Sequence, residues 1–318
     1  VSPTETVSLT EIVQLGEPVE HRGIVVVPLF PRRDPVAQYI TLDEALPRGL
    51  RIREVDEEGS VPELVVENPL EERVLLYDGE ELVGAKQNRI LNVSVLVEAR
   101  SQVTIPVSCV EEGRWSWRSP VFASAGHISH GRLRQLKAEA LAARPLARGV
   151  AQGEVWDEVR SLAARMRVES PTRAARDVHR AYERDIRSLE SAFPAEPGQC
   201  GAILGLGGDL CLDYVSRPDA FARLWPKLRA GYLLDALERL DGTATEPPEI
   251  EAFLQAIDGS SPARQPSAGL GEDIRLRNEG VIGSGLELEG EVIQLSAFTS
   301  ADAGRRAFGR IARPSRRR

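Results

Sequence analysis

Cysteine, histidine and long apolar runs are scarce in this 318-residue chain. Three cysteines (Cys109, Cys200, Cys211) with no paired spacing exclude a disulfide framework and point to a reducing compartment. With four histidines, a metal site would have to recruit Asp or Glu ligands, and no metal is expected. The apolar runs are far too short to span a bilayer, and no apolar segment with a basic flank leads the chain. A cytoplasmic protein without membrane partners is the expectation. Surplus positive charge is missing too: the formal net charge is −8, whereas a general nucleic-acid binder needs a basic surface.

What is present is ordinary globular composition, and the length suffices for one large domain or two smaller ones. Arginine far outnumbers lysine, which with the Ala-rich helices fits a GC-rich bacterial genome. Seven arginines between Arg305 and Arg318 form a basic tail (305–318), read as a solvated, frayed end.

Period-two alternation dominates residues 1–125. Strands are expected at Gly23–Phe30, Ala37–Leu42, Leu50–Val55, Glu63–Glu67, Arg73–Tyr77, Ile90–Val97, Gln102–Cys109 and Arg114–Arg118. Pro106 suggests an edge strand or a bulge. Without intervening helices these strands should pair antiparallel, as in a sandwich or a curled sheet. Residues 130–193 are helical in period: Val155, Val159, Leu162 and Met166 share one face, and Val178, Tyr182, Ile186 and Leu189 another. Ser170-Pro171 should open that second helix, and a shorter one over Arg132–Arg148 should break near Pro145. Residues 200–300 are mixed. Ala202–Gly205 and Leu210–Val215 read as strands around a Gly207-Gly208 turn, followed by a helix bearing Phe221, Leu224, Trp225, Leu228 and Tyr232. Residues 259–271 read as a loop, and closing strands are expected near Ile274–Arg277 and Leu286–Phe298. The fold class is α+β: an antiparallel β-rich N-terminal half, a helical middle, and short strands and helices at the C-terminal end. With no long linker, residues 1–318 are expected to form a single composite domain.

The densest polar cluster lies in Tyr77–Trp117, between strands of strict alternation. If Glu80 and Glu81 are neighbours on a strand they must face opposite ways, so one of them can serve a pocket. Either could act as a general base, with His127 or His130 assisting. Lys86, Gln87, Asn88, Arg89 and Asn92 offer an ammonium for phosphate and amides for hydroxyls or base edges. The blander reading is a β-hairpin connection that satisfies its own backbone. Trp115 and Trp117, flanked by Arg114 and Arg118, could stack on a base or sugar, or close a core. Cys109 keeps the apolar phase of Val103, Ile105 and Val107 and has two glutamates beside it, so a buried structural thiol is favoured over a nucleophile. His127 and His130 stand three apart, yet Gly126 and Gly131 bracket them, which argues for a loop. The glycines at 201–208 match neither a dinucleotide fingerprint nor a P-loop, and no motif specifies a cofactor.

The run Asp78-Gly-Glu-Glu-Leu-Val-Gly-Ala-Lys-Gln-Asn-Arg-Ile-Leu-Asn92, with Ile105-Pro-Val-Ser-Cys-Val-Glu-Glu-Gly-Arg-Trp115, resembles a known family. Gly208-Asp-Leu-Cys-Leu-Asp213 and Tyr232-Leu-Leu-Asp-Ala-Leu237 extend the likeness over most of the chain. It is similar to the bacterial domain family named for association with ADP-ribosylglycohydrolases and rhodanese-phosphatase proteins. The resemblance carries over no catalytic residues, and it implies a role near NAD or ADP-ribose metabolism. Three functions are therefore in play. The first is binding or regulation by a nucleotide-like anion at Lys86–Asn92, with a small molecule as partner. The second is a hydrolase or transferase using Glu80 or Glu81 as base. The third is a structural protein that forms an oligomer.

Overall fold

Ile24–Pro31 and Gly201–Leu206 are apolar on both faces, and strands of that kind need cover on both sides. In the computed structural model, which describes residues 8–56, 58–60, 62–143, 150–239 and 247–300, they receive it. They are neighbours in a nine-stranded sheet ordered Val13–Leu15, Ile24–Pro31, Gly201–Leu206, Asp209–Val215, Glu291–Thr299, Val281–Leu288, Glu272–Arg277, Ala263–Pro266. Val19–His21 also pairs with Ile24–Pro31. The C-terminal strands thus return to the N-terminal one. Alternation divides the two covers. Ile24, Val26, Ala202 and Leu204 pack with Phe221, Leu224 and Trp225 of the helix Pro218–Glu238. Val25, Val27, Ile203 and Leu212 pack with Phe253, Leu254 and Ile257 of the helix Pro247–Asp258.

Residues 51–128 build a second, six-stranded sheet, ordered Phe122–Ile128, Glu80–Gly84, Arg89–Leu91, Ser101–Cys109, Glu63–Asn68, Arg51–Glu54. Its two edge strands approach one another, so the sheet curls around an apolar core that includes Leu64, Leu82, Leu91 and Ile105. A small third sheet joins Val95–Val97, Val74–Leu76 and Ile40–Thr41, and its Ile40–Thr41 pairing is parallel where antiparallel was expected throughout. The helices Gly131–Ala143, Gln152–Arg165, Ala175–Ala181 and Glu183–Glu190 fill the middle. Eight α-helices and eighteen strands among the described residues make the class α+β, β-rich and mainly antiparallel at its N-terminal end.

Several local expectations are corrected. The strand expected over Ala37–Leu42 shrinks to Ile40–Thr41, because Thr41 and Glu44 form a capping box that opens a helix at Leu42. Arg114–Arg118 is a loop: the Arg114 guanidinium donates to the carbonyls of Gly84, Ala85 and Ser116, which replaces a strand ladder. The helix expected from Ser170-Pro171 begins at Ala175, since Ser170 Oγ accepts the Ala174 N–H (2.8 Å) in a turn. Pro106 lies in an interior strand, at the handover between Glu63–Asn68 and Arg89–Leu91 as partners. Within 259–271, Ala263–Pro266 is an edge strand. Pro145 and the tail 305–318 lie outside the described residues.

Candidate functional site

The hairpin Glu80–Gly84/Arg89–Leu91 organises the site, and its tight connection requires positive φ at Gly84 (133°) and Ala85 (38°). Alternation sends the two glutamates to opposite faces. Glu80 Oε1 accepts from Lys227 Nζ (2.5 Å), Lys227 also reaches Asp43 (2.8 Å), and Glu80 Oε2 accepts the Tyr77 N–H (2.8 Å). Burial pushes the Glu80 carboxyl up, against the opposing pull of Lys227. Close by, Asp78 pairs with Lys137 (2.5 Å), and Arg134 grips Asp213 through both guanidinium ends (2.6 and 2.8 Å). The Tyr77 hydroxyl donates to that same Asp213 (2.5 Å). These charges are buried and answered.

Glu81 faces the other way. Its Oε2 lies 2.8 Å from His127 Nε2, and its Oε1 accepts from Asn88 Nδ2 (3.3 Å). His127 sits in the strand Phe122–Ile128 and not in a loop. The register with Glu80–Gly84 shifts between Ser124 and Ile128, around Gly126 at φ 81°. A bulge of this kind re-aims a side chain, and here it delivers the imidazole to Glu81. On its other face His127 stacks against His179, ring centroids 3.7 Å apart and 23° from parallel. Burial, then the neighbouring His127 and His130, hold His179 well below the ordinary imidazole range, so it is neutral at pH 7.

The stack borders a cavity of about 470 Å³ whose walls include Arg176, Arg180, Arg187 and Glu183. Arg187 pairs with Glu183 (2.5 Å), and Glu190 in the same wall pairs with Arg229 (3.6 Å). Arg176 and Arg180, one turn apart on the helix Ala175–Ala181, make no ion pair among the described residues. Two guanidinium groups without an ion pair among the described residues, beside the neutral His179, suit an anion.

The other candidates separate into two further places. Gln87, Asn88, Arg89 and Asn92 are buried and serve the interior. Gln87 donates to the Glu111 carbonyl (2.9 Å) and accepts from Arg89 (3.1 Å), Arg89 faces Glu54 (3.7 Å), and Asn92 accepts from Ser108 (2.8 Å). Lys86 donates to the Glu58 carbonyl (2.6 Å) with its ammonium 5.3 Å from the ring centres of both Trp115 and Trp117. Both indoles are half exposed. Of the residues singled out from sequence, the structure therefore joins Glu81, His127 and Asn88 and leaves Lys86 and Trp115 elsewhere. His130 turns from His127 to Glu158 (3.2 Å). Burial would raise the Glu158 carboxyl, but hydrogen bonds from His130 and Arg165 overcome it and hold it at about 2. Among the described residues no cluster of three or more His, Cys, Asp or Glu is arranged to hold a metal ion. Cys109 is fully buried, its thiol pushed up by burial and donating to Gln87.

Sequence reasoning passed over His179, Arg176 and Arg180, although Arg176-x-x-His179-Arg180 at helical spacing places all three within one turn. It also passed over a signal in lysine scarcity. The chain has three lysines, Lys86, Lys137 and Lys227, and all are buried around residues 78–87. Lysine is almost never buried unless paired, so three rare lysines mark the charged interior.

A sequence model of the family described as ARG and Rhodanese-Phosphatase-superfamily-associated Protein domain matches residues 12–298. No curated protein and no solved structure matches the chain. No helix among the described residues is long and apolar enough to cross a membrane.

Proposed function

The chain belongs to that family, associated by name with ADP-ribosylglycohydrolase and rhodanese-phosphatase proteins, and on that premise we propose that it binds a nucleotide-like anion over the His127–His179 stack. The observation that carries the reading is the pair Arg176 and Arg180, which line the cavity and have no carboxylate partner among the described residues. A guanidinium fork suits phosphate oxygens, and the flat imidazole stack suits a base or sugar face. The cavity volume, about 470 Å³, falls within the range of roughly 300–1,000 Å³ usual for small-molecule sites. ADP-ribose or a related nucleotide is the ligand class that the family association favours. The binding centre moves accordingly, from Lys86–Asn92 to the helix Ala175–Ala181 and the bulged strand beside it. Calorimetric and thermal-shift titrations with ADP-ribose, NAD and simple nucleotides test this. Saturable binding of at least one supports it, and no response to any at millimolar concentration overturns it.

The Glu81–His127 contact favours a second reading, a hydrolase or transferase acting on the bound anion. A carboxylate that holds one imidazole nitrogen leaves the other free to accept or deliver a proton. Glu80 does not fit that role, because Lys227 and the Tyr77 N–H occupy both its oxygens. Three buried free cysteines agree with a cytoplasmic location.

A further inference from the structure

We propose that Asn88, oriented by Arg114, is a positioning residue that holds the Glu81 carboxylate against His127 and that dictates the His127 tautomer when an amide replaces that carboxylate. This rests on the reading of His127 as the proton-transfer group of the cavity. An amide side chain can be turned either way, and here its neighbours decide. Arg114 Nη2 has only protons to offer and lies 3.1 Å from Asn88 Oδ1, so that oxygen is the acceptor and the Asn88 NH₂ must face Glu81. Arg114 is itself immobilised. It pairs with Glu111 (2.7 Å) and donates to the carbonyls of Gly84, Ala85 and Ser116, while Glu111 also accepts the Asn88 backbone N–H (3.1 Å) and the Thr172 hydroxyl (3.0 Å). Asn88, Arg114, Glu111 and Glu81 are all buried.

The consequence reaches His127. Asn88 donates to Glu81 Oε1 and holds the carboxylate with Oε2 against His127 Nε2; a carboxylate only accepts, so Nε2 carries the proton. Nδ1 is left as the basic nitrogen. The geometry also makes an uncommon prediction for Glu81→Gln. The fixed Asn88 NH₂ selects the new amide's carbonyl oxygen, so the glutamine NH₂ is turned toward His127 Nε2. Nε2 then has to accept, and the proton moves to Nδ1. An otherwise isosteric substitution would reverse the tautomer, and it would do so only while Asn88 is present.

Histidine side-chain nitrogen–proton correlation spectra of the full chain without ligand, recorded at alkaline pH where imidazoles are neutral, test this. The His127 signals are assigned by their loss in His127→Gln. The wild type is expected as the Nε2–H form and Glu81→Gln as the Nδ1–H form. The double variant Glu81→Gln/Asn88→Ala is expected as a mixture. An Nδ1–H wild type, an Nε2–H Glu81→Gln variant, or a double variant that keeps the full reversal overturns the proposal. Should Glu81→Gln not fold, the Asn88 amide in the wild type decides: slow solvent exchange supports its bond to Glu81, and fast exchange refutes it. Because no ligand is present, these outcomes are read independently of whether an anion binds.

Discussion

The surroundings of Glu80 and of Glu81 begin one residue apart and differ in how completely their charges are answered. Around Glu80 and Asp78, the cations Lys227, Lys137 and Arg134 each meet a carboxylate inside the protein. Around Glu81 the answer is partial: one imidazole, one amide, and beyond them a cavity edged by two arginines that pair with no carboxylate among the described residues. Buried charges that are fully paired act on the fold, because removing one partner strands the other. Charges left open beside a cavity remain available to a ligand. The strand alternates, and the two roles alternate with it.

The sharpest way to break the comparison is to remove a cation from the closed side. Lys227→Met leaves Glu80 and Asp43 facing no ammonium and should cost about 3–5 kcal/mol in urea unfolding. Glu81→Gln should cost about 1 kcal/mol, since an amide can keep both hydrogen bonds. Equal losses would erase the distinction between the two sides.

On the open side the expected effect is on binding. Arg176→Ala with Arg180→Ala should weaken anion affinity by about 10–100-fold, the loss of one or two charge-assisted hydrogen bonds. Stability should stay within roughly ±0.5 kcal/mol, because neither arginine has an ion-pair partner to strand among the described residues. A variant that unfolds instead would move both residues to the structural side.

Glu158 adds a pH dependence of calculable sign. Its folded carboxyl titrates near 2, below the ordinary 4.5, so the ionised form is the one the fold favours. That stabilisation is complete above pH 4.5 and is lost as pH falls toward 2. Unfolding titrations across this window should show wild-type stability declining more steeply than that of Glu158→Gln. Parallel curves would mean that the His130 and Arg165 contacts contribute nothing. The smallest effect is expected at the Trp115–Trp117 loop, where Lys86→Met should cost about 0.5–1 kcal/mol, the worth of a cation–π contact to half-exposed indoles. Anion affinity should be unchanged there.

Periodicity revealed most of the architecture. The alternation in Ile24–Pro31, Ser101–Cys109 and Gly201–Val215 survives as strands, and the Gly207-Gly208 turn joins two of them. What it could not convey were competitions decided by single side chains. Arg114 captures the carbonyls that would have made Arg114–Arg118 a strand, and Ser170 delays a helix by holding the Ala174 N–H. The polar run at residues 78–92 was visible as a cluster, but its division was not. That Asn88 reaches Glu81 while Lys86 reaches the Glu58 carbonyl depends on a tight turn and on which long-range partner lies within range. Glu81 and His127 are 46 residues apart and meet only because a bulge at Gly126 re-aims the imidazole. Arg176 and Arg180 lay on a helix whose polar face looked like ordinary solvated surface.

Binding of an anion at the open side of this strand requires the arginines of the helix Ala175–Ala181. The most direct measurement is calorimetric titration of ADP-ribose into wild type, Arg176→Ala/Arg180→Ala and Lys86→Met. Saturable binding to the wild type is expected, unchanged by Lys86→Met and weakened at least tenfold by the double substitution. Unweakened binding to the double variant, or a loss confined to Lys86→Met, would contradict it.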